Sequence, residues 1–445
     1  MKIVFISPAG PLYRYRGGIF RKSLRYSPLT LVTLAAYIPD ELDAEVQIVD
    51  EGIEAAPSRP DADLIAMTVI TGSAKRAYEL AARYRAQGIP VVMGGPHVTL
   101  IPEDAAPHAD CIVTGYAEHT WPQLLRDFAA GNMQPRYDQG QLDLSGLPLP
   151  RRDLLAAKKY STTSVFEATR GCAHNCEFCV VPAAWGRRPY QKPVADVVRD
   201  IRSTGTRKAL FIDLNLIADR GYARRLFEAL VPLDIRWFGL ATVLLEHDRD
   251  LLELMARSGC RGLLVGLESV NQDSLDVSCK RFNQTINFHE FVRLLHRHRI
   301  ALMGTFVFGL DSDTPKVFEE TARFAIDAAI DLPRFAIATP FPGTALYQRL
   351  HQEGRILTRD WDIYDGQHVV FQPSQMSVQE LAAGHEWTWK HVYSRRSIFR
   401  RLARSRLQLP ISIAANLGYR FYAHHLHTHY NCDWFVGQEV STPAR

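Results

Sequence analysis

The chain has no apolar run of about 20 residues, so no membrane-spanning helix is expected. It has no G-x-G-x-x-G, so a nicotinamide site of the Rossmann type is poorly supported. Its seven cysteines are odd in number and few for 445 residues, which argues against a disulfide framework. Neither sign of charge dominates: the formal net charge of +4 is too mild to point to nucleic acid, and none is expected as a partner. The opening Met-Lys-Ile-Val-Phe-Ile-Ser-Pro is too short an apolar run for a signal peptide and reads as a first strand. The expectation is a cytoplasmic protein in a reducing compartment. A hydrophobic content of 47% over 445 residues allows sizeable cores in two or three domains.

Three of the cysteines stand together. Cys172, Cys176 and Cys179 are spaced C-x3-C-x2-C within Arg170-Gly-Cys-Ala-His-Asn-Cys-Glu-Phe-Cys179. Thiolates are the ligands of iron–sulfur clusters, and a cubane normally takes four. Three can hold three irons and leave the fourth open to a substrate or cofactor, as the open position of a catalytic zinc does. The competing reading is zinc, with His174 as a further ligand. Zinc sites usually draw on a second close pair, however, and Cys111, Cys260, Cys279 and Cys432 are each isolated.

The first third alternates strands with helices. Strands are expected at 2–7, 44–50, 63–68, 89–93 and 111–114, and helices at 27–39, 73–87 and 120–130. This is the pattern of a doubly wound parallel sheet, covered on both faces. Ligands of such sheets bind beyond the carboxyl ends of the strands. Those ends carry Ser7, Thr68, Thr71, Gly94, Gly95, His97 and Gly115. They are small or hydrogen-bonding and suit a large ligand, although a plain turn and a plain loop histidine remain open.

In the middle third a strand at 164–169 leads directly into the cysteine loop. Further strands are expected at 209–213, 235–241, 262–267, 301–308 and 334–339. Helices are expected at 194–204, 223–230, 248–258, 288–297 and 314–328. Six such units suggest a partial (β/α)6 barrel of the TIM type, with its chemistry at the carboxyl ends of the strands. The cysteine loop lies at one such end, as do Asp213, Asn215, Glu268, Ser269 and the segment 304–311. A strand-end salt bridge for Glu268, a helix cap for Asp213 and loop packing for Phe178 are the plain alternatives. Phe306 and Phe308 read as core.

The cysteine spacing, with Phe178 before the last cysteine, resembles the signature of the radical S-adenosylmethionine (SAM) superfamily. Gly266-Leu-Glu-Ser-Val-Asn271, Gly304-Thr-Phe-Val-Phe-Gly-Leu-Asp311 and Thr339-Pro-Phe-Pro-Gly-Thr344 resemble strand-end motifs of its subfamily with an N-terminal cobalamin-binding domain. Ser27-Pro-Leu-Thr-Leu31, Gly94-Gly-Pro-His97 and Gly115-Tyr-Ala-Glu118 resemble the cobalamin loops of that domain. The resemblance runs from residue 1 to about 400. It implies a Rossmann-like cobalamin-binding domain at 1–135, a linker at 136–160, a radical SAM barrel at 161–355 and a mainly helical region at 356–445.

It also implies three cofactors: a [4Fe–4S] cluster on Cys172, Cys176 and Cys179, SAM, and cobalamin. Phe178 would lie near the adenine, Glu268 and the adjacent Ser269 by the SAM ribose or amino group, and Asp213 and Asn215 at the methionine end. Ser7, Thr68, Thr71, Gly94, Gly95, His97, Gly115 and Glu118 would contact cobalamin. The implied activity is reductive cleavage of SAM to a 5′-deoxyadenosyl radical, and methylation of an unactivated carbon of a small-molecule or lipid-like product. A reductant such as flavodoxin or ferredoxin would supply the electron. The alternatives are a non-methylating radical reaction (oxidative cyclisation, ring contraction, dehydration or lipid coupling) and a non-catalytic electron carrier.

The chain departs from methionine-synthase-like cobalamin domains in lacking D-x-H-x-x-G. Neither the run after Ser7 nor Asp50-Glu-Gly-Ile53 holds such a histidine. No histidine of this domain is expected below cobalt in that manner. Tyr116 stands where a second acidic residue is common.

Helices are expected at 387–393 and 394–409. The second carries Arg395, Arg396, Arg400, Arg401, Arg404 and Arg406, interleaved with Ile398, Phe399, Leu402 and Leu409. The plain reading is a helix packed on the barrel with a solvated basic face. The sharper one is a peripheral contact with anionic lipid at the inner face of a membrane, or a dock for an acidic substrate or electron donor. His424, His425, His427 and His429 read as a surface helix end rather than a metal site, and 436–445 as a loose tail.

Overall fold

The computed structural model describes residues 1–10, 26–271 and 286–426. Cys279, Cys432, His427, His429 and the tail expected at 436–445 lie outside the described residues.

The first unit is one parallel sheet. Its strands β1 (Lys2–Ser7), β2 (Glu45–Asp50), β3 (Leu64–Thr68), β4 (Val91–Gly94), β5 (Cys111–Gly115) and β6 (Arg136–Gln139) lie in the order β2-β1-β3-β4-β5-β6. Helices α1 (Leu29–Ala36), α2 (Ala74–Arg85), α3 (Pro96–Leu100), α4 (Pro102–Ala105) and α5 (Thr120–Ala129) connect and cover them. The side-chain alternation of the strands divides the core in two. Phe5, Ala66, Val92 and Val113 pack with Leu31 of α1 and Trp121 of α5. Val4, Ile6, Ile65, Met67 and Met93 pack with Ala77, Leu80 and Ala81 of α2. The order reverses between β1 and β3, the switch point at which open α/β sheets form a ligand crevice.

Strand β6 falls within the expected linker. Its sequence, Arg-Tyr-Asp-Gln, lacks an apolar alternation because it is an edge strand paired to β5 alone.

The second sheet runs β14-β13-β12-β11-β10-β7, with all pairs parallel. These strands are β7 (Val165–Phe166), β10 (Lys208–Phe211), β11 (Arg236–Ala241), β12 (Cys260–Glu268), β13 (Ala301–Phe308) and β14 (Arg334–Ile337). Each strand is laid beside its predecessor, which makes the expected six-stranded open barrel. The first strand is shorter than expected. After Phe166 the chain turns into β8 (Thr169–Arg170), which pairs antiparallel with β9 (Tyr190–Gln191) and closes the base of the cysteine loop.

The helices from here on are α6 (Val180–Trp185), α7 (Val194–Thr204), α8 (Arg220–Leu230), α9 (Arg249–Arg257), α10 (Phe288–Arg297), α11 (Lys316–Asp327), α12 (Ala345–Gln352), α13 (Val378–Val392), α14 (Arg395–Ser405) and α15 (Leu409–Ala423). Asp219, Asn287, Thr344, Ser377 and Ser394 start α8, α10, α12, α13 and α14 by accepting from the first-turn backbone N–H groups.

The helix expected at 394–409 is α14 and ends early, at Ser405, and α15 begins only at Leu409. Arg406 and Gln408 take left-handed backbone (φ 52° and 43°), and Pro410 opens the second helix. Between α12 and α13 the chain returns to the first unit, where Trp361, Ile363, Tyr364 and Val370 join the core under α2. Among the described residues no helix is long and apolar enough to cross a membrane.

Candidate active site

The cysteine loop is held at both ends. Asp213, just beyond β10, is buried. Its carboxylate accepts from the Ala168 N–H at 3.0 Å, the Thr169 hydroxyl at 2.8 Å and the Thr169 N–H. Burial, and after it the charge of Glu167, push this carboxyl up to about 7. Within the loop Glu177 receives Arg349 of α12 (Nε to Oε1, 2.6 Å), and the Leu346 N–H donates to the Glu177 carbonyl at 3.1 Å. Arg349 and Arg355 both donate to Asp311, at 2.6 and 2.7 Å. The Cys179 N–H donates to the Cys176 carbonyl at 3.0 Å, and Cys179 immediately precedes α6.

Cys172, Cys176 and Cys179 are half-buried, and none is in a disulfide. Among the described residues no three His, Cys, Asp or Glu side chains gather tightly enough for a single metal ion. The donor set is three thiols on one anchored loop, which suits a cluster with one open iron.

Glu268 closes β12 with φ 66°, a region that non-glycine residues rarely adopt. The β12–β13 register shifts between Gly266 and Glu268. A bulge of this kind redirects a side chain at a strand end. Glu268 and Ser269 are both buried there. Phe178 packs at the edge of the barrel core.

A cavity of about 330 Å³ lies where the two sheets face each other. From the first unit it is lined by Phe5, Leu31, Thr68, Gly94, Gly95, Gly115, Tyr116, Glu118 and Trp121. From the barrel come Glu167, Thr169, Arg170, Gly171, Trp185, Ile212 and Leu214, so the cysteine loop forms part of its wall. Two of the strand-end glycines are obligatory. A Cβ on Gly115 (φ 72°) would lie 2.2 Å from the Gln139 carbonyl oxygen, and one on Gly95 (φ 106°) 2.9 Å from the backbone of Val69. Two polar groups in the wall, the Tyr116 hydroxyl and the Trp121 indole N–H, are buried without a partner among the described residues. Both lie beneath the lining; what a large ligand meets at the strand ends is the bare backbone of Gly94, Gly95 and Gly115, which permits close approach, so the wall fits cobalamin.

Arg170 crosses between the units. It pairs with Glu118 of the first and with Glu167 of the barrel (2.9 Å), and Lys192 completes the chain at 3.3 Å from Glu167.

The cavity thus gathers Thr68, Gly94, Gly95, Gly115 and Glu118 from the expected set. Ser7, Thr71 and His97 do not line it. The His97 imidazole is fully buried, with Nε2 3.1 Å from Asp104 and 3.0 Å from the Tyr78 hydroxyl, and Nδ1 3.4 Å from Thr71 Oγ1. Asn215 is buried and accepts from the Ile217 N–H at 3.3 Å. Sequence reasoning did not single out Arg170, Glu167, Trp121 or Arg349. Only Arg170, two residues before Cys172, had a positional signal.

Three family models match the chain: the B12 binding domain over residues 23–125, the radical SAM superfamily over 166–325, and a domain of unknown function, DUF4070, over 344–437. Bacteriochlorophyllide d C-12(1)-methyltransferase of Chlorobaculum tepidum is 32% identical over 351 residues, 76% of each protein. Hopanoid C-2 methylase of Rhodopseudomonas palustris is 29% identical over 350 residues, 75% of this chain and 66% of that one. The radical SAM methyltransferase TsrM of Kitasatospora setae, solved with cobalamin and a [4Fe–4S] cluster, has the same fold. Its TM-score is 0.64 at 18% identity, covering 79% of this chain and 78% of that one. A cobalamin-type sheet facing a cluster-bearing barrel defines a class of radical enzyme. This chain belongs to the cobalamin-dependent radical SAM family, and its cofactors are a [4Fe–4S] cluster, SAM and cobalamin.

Proposed function

We propose that the protein methylates an unactivated carbon of a bulky, largely apolar natural product. The observation that carries this reading is the shared cavity, one wall of which is the cobalamin-type sheet edge and the other the cysteine loop. When bound, the cluster with SAM would supply a carbon radical and cobalamin a methyl group.

The chain's own residues bind and orient. Cys172, Cys176 and Cys179 would hold the cluster, while Asp213 and Arg349 fix the loop that carries them. Glu268 and Ser269, at a bulged strand end, would bind SAM with Phe178, and Asp213 and Asn215 would shape the methionine end from behind. Thr68, Gly94, Gly95, Gly115 and Glu118 would cradle cobalamin, with the rings of Tyr116 and Trp121 forming part of the wall. Ser7, Thr71 and His97 would support that cradle. Apolar walls around the cavity exclude water from the radical. A division at 1–135, 161–355 and 356–445 accommodates these roles, except that β6 carries the first unit to residue 139 within the segment 136–160.

The relatives named for bacteriochlorophyllide and hopanoid methylation support a tetrapyrrole- or lipid-like substrate. A flavodoxin or ferredoxin would supply electrons, and a basic segment at 394–409 would suit contact with a membrane surface. The test is anaerobic turnover of the reconstituted enzyme with SAM, reductant and candidate substrates, read by mass spectrometry. Substrate-dependent S-adenosylhomocysteine together with 5′-deoxyadenosine is expected. Deoxyadenosine with an unmethylated, altered substrate would overturn the methylase reading.

A further inference from the structure

Helix α15 is inverted. Its polar residues Ser412 and Asn416 are buried, and Asn416 holds Arg401 (2.8 Å) and the Asp331 carbonyl (3.1 Å). Tyr419, Tyr422 and Ala423 pack on the core, while three of its aliphatic residues face outward: Ile411 is 68% exposed, Leu417 54% and Ile413 46%. On the neighbouring α14, Phe399 is 76% exposed. A water-facing helix normally has the opposite arrangement, and a contiguous exposed apolar face marks an interaction surface.

The charge around this face is mostly positive, with Asp327 pairing Arg400 and Arg404 of α14. From 387 to 432 the sequence has no Asp or Glu, while it carries Lys390 and seven arginines. Beside the α14–α15 turn lies a cleft of about 880 Å³, lined by Arg236, Arg257, Arg261, Arg297, Arg299 and Arg406, with Glu253 as its carboxylate. Among the described residues Arg236, Arg257, Arg299 and Arg406 pair with no carboxylate. Apolar side chains beside arginines without counter-ions match a surface that is greasy within and anionic at its rim.

We propose that α14, α15 and the adjoining arginine cleft dock the enzyme on an anionic phospholipid bilayer. Ile411, Ile413, Leu417 and Phe399 enter the headgroup–acyl boundary, and the cleft takes lipid phosphates. The face reaches beyond the basic segment at 394–409, since the apolar anchors lie mostly on α15. It sits at the amino-terminal ends of the barrel strands, where Arg401 and Asn416 grip residues 330 and 331 just ahead of β14. The cysteine loop is at the opposite ends. Docking therefore concentrates the enzyme at the membrane without covering the mouth of the barrel, and it is independent of the reaction proposed above.

The experiment is co-sedimentation of the full chain with phosphatidylglycerol–phosphatidylcholine vesicles and with pure phosphatidylcholine vesicles. Binding to the anionic vesicles, weakened by salt, is expected. Ile413→Glu with Leu417→Glu, and separately Arg257→Glu with Arg299→Glu, should each lower the partition by about tenfold or more. Ile413→Ser with Leu417→Ser serves as a milder pair, and circular dichroism confirms the fold of each variant. Failure to bind anionic vesicles, or binding unchanged by both pairs, overturns the proposal. So does a dimer that Ile413→Glu with Leu417→Glu dissociates, which would make a second copy the occupant. Vesicle binding seen only after removal of 427–445 would assign the face to the chain's own terminus and equally overturn it.

Discussion

Asp213 illustrates how a residue can be found by sequence and still do something its position does not announce. Its place at a strand end marked it for the site, but its carboxylate is spent on the backbone of residues 168 and 169. No local pattern discloses a partner 45 residues away. Asp213→Ala would leave three buried donors unpaired, at about 1–3 kcal/mol each. It should lower stability and the iron retained per chain after reconstitution, with Asp213→Asn partly restoring both.

The raised carboxyl adds a pH test. The unfolded chain loses this proton at about pH 4, the folded chain at about 7. Across that window the unfolded state binds fewer protons, so this group makes stability fall as pH rises, until the folded form also ionises. The urea midpoint of Asp213→Asn should therefore rise relative to that of the wild type as pH goes from 4 to 7. The cysteines were legible because their chemistry resides in spacing. Replacing Cys172, Cys176 or Cys179 with Ala should abolish SAM cleavage, measured as deoxyadenosine formed.

At the scale of elements, amphipathic segments were readable and edges were not. The helix expected at 194–204 is α7 and that at 288–297 is α10, because each has an apolar stripe and a clear start. Strand β6 escaped, since an edge strand with polar residues has no periodic signal, and the strand expected at 164–169 broke where Asp213 captures the backbone. Gly115 makes the edge consequential. Its left-handed turn lets the Tyr116 N–H reach the Gln139 carbonyl at 2.9 Å. Gly115→Ala would drive a Cβ into that oxygen and should destabilise the chain by about 2 kcal/mol or more. Cobalamin uptake, followed by its visible absorbance, should fall with it, while the iron content of the barrel stays near that of the wild type.

At the scale of the molecule, the two sheets could be read separately but not the way they meet. Trp361 and Tyr364 bring a late segment back to the first core, and Arg170 joins Glu118 across the cavity. Such long-range pairings leave no periodic trace. The Arg170 link can be tested by its energetics. Glu118 is 5% exposed, so Arg170→Met strands a buried carboxylate, a change that typically costs about 3–5 kcal/mol. Glu167 is spared because Lys192 remains beside it. In the double variant Arg170→Met with Glu118→Gln the stranded charge is gone, so stability should recover part of the loss. A denaturant double-mutant cycle should give a coupling of about 1–3 kcal/mol. Additive single effects would mean that the two units do not communicate through this pair. Coupling accompanied by a parallel loss and recovery of cobalamin uptake would mean that the arginine leading into the cluster loop also sets the position of the sheet that holds the second cofactor.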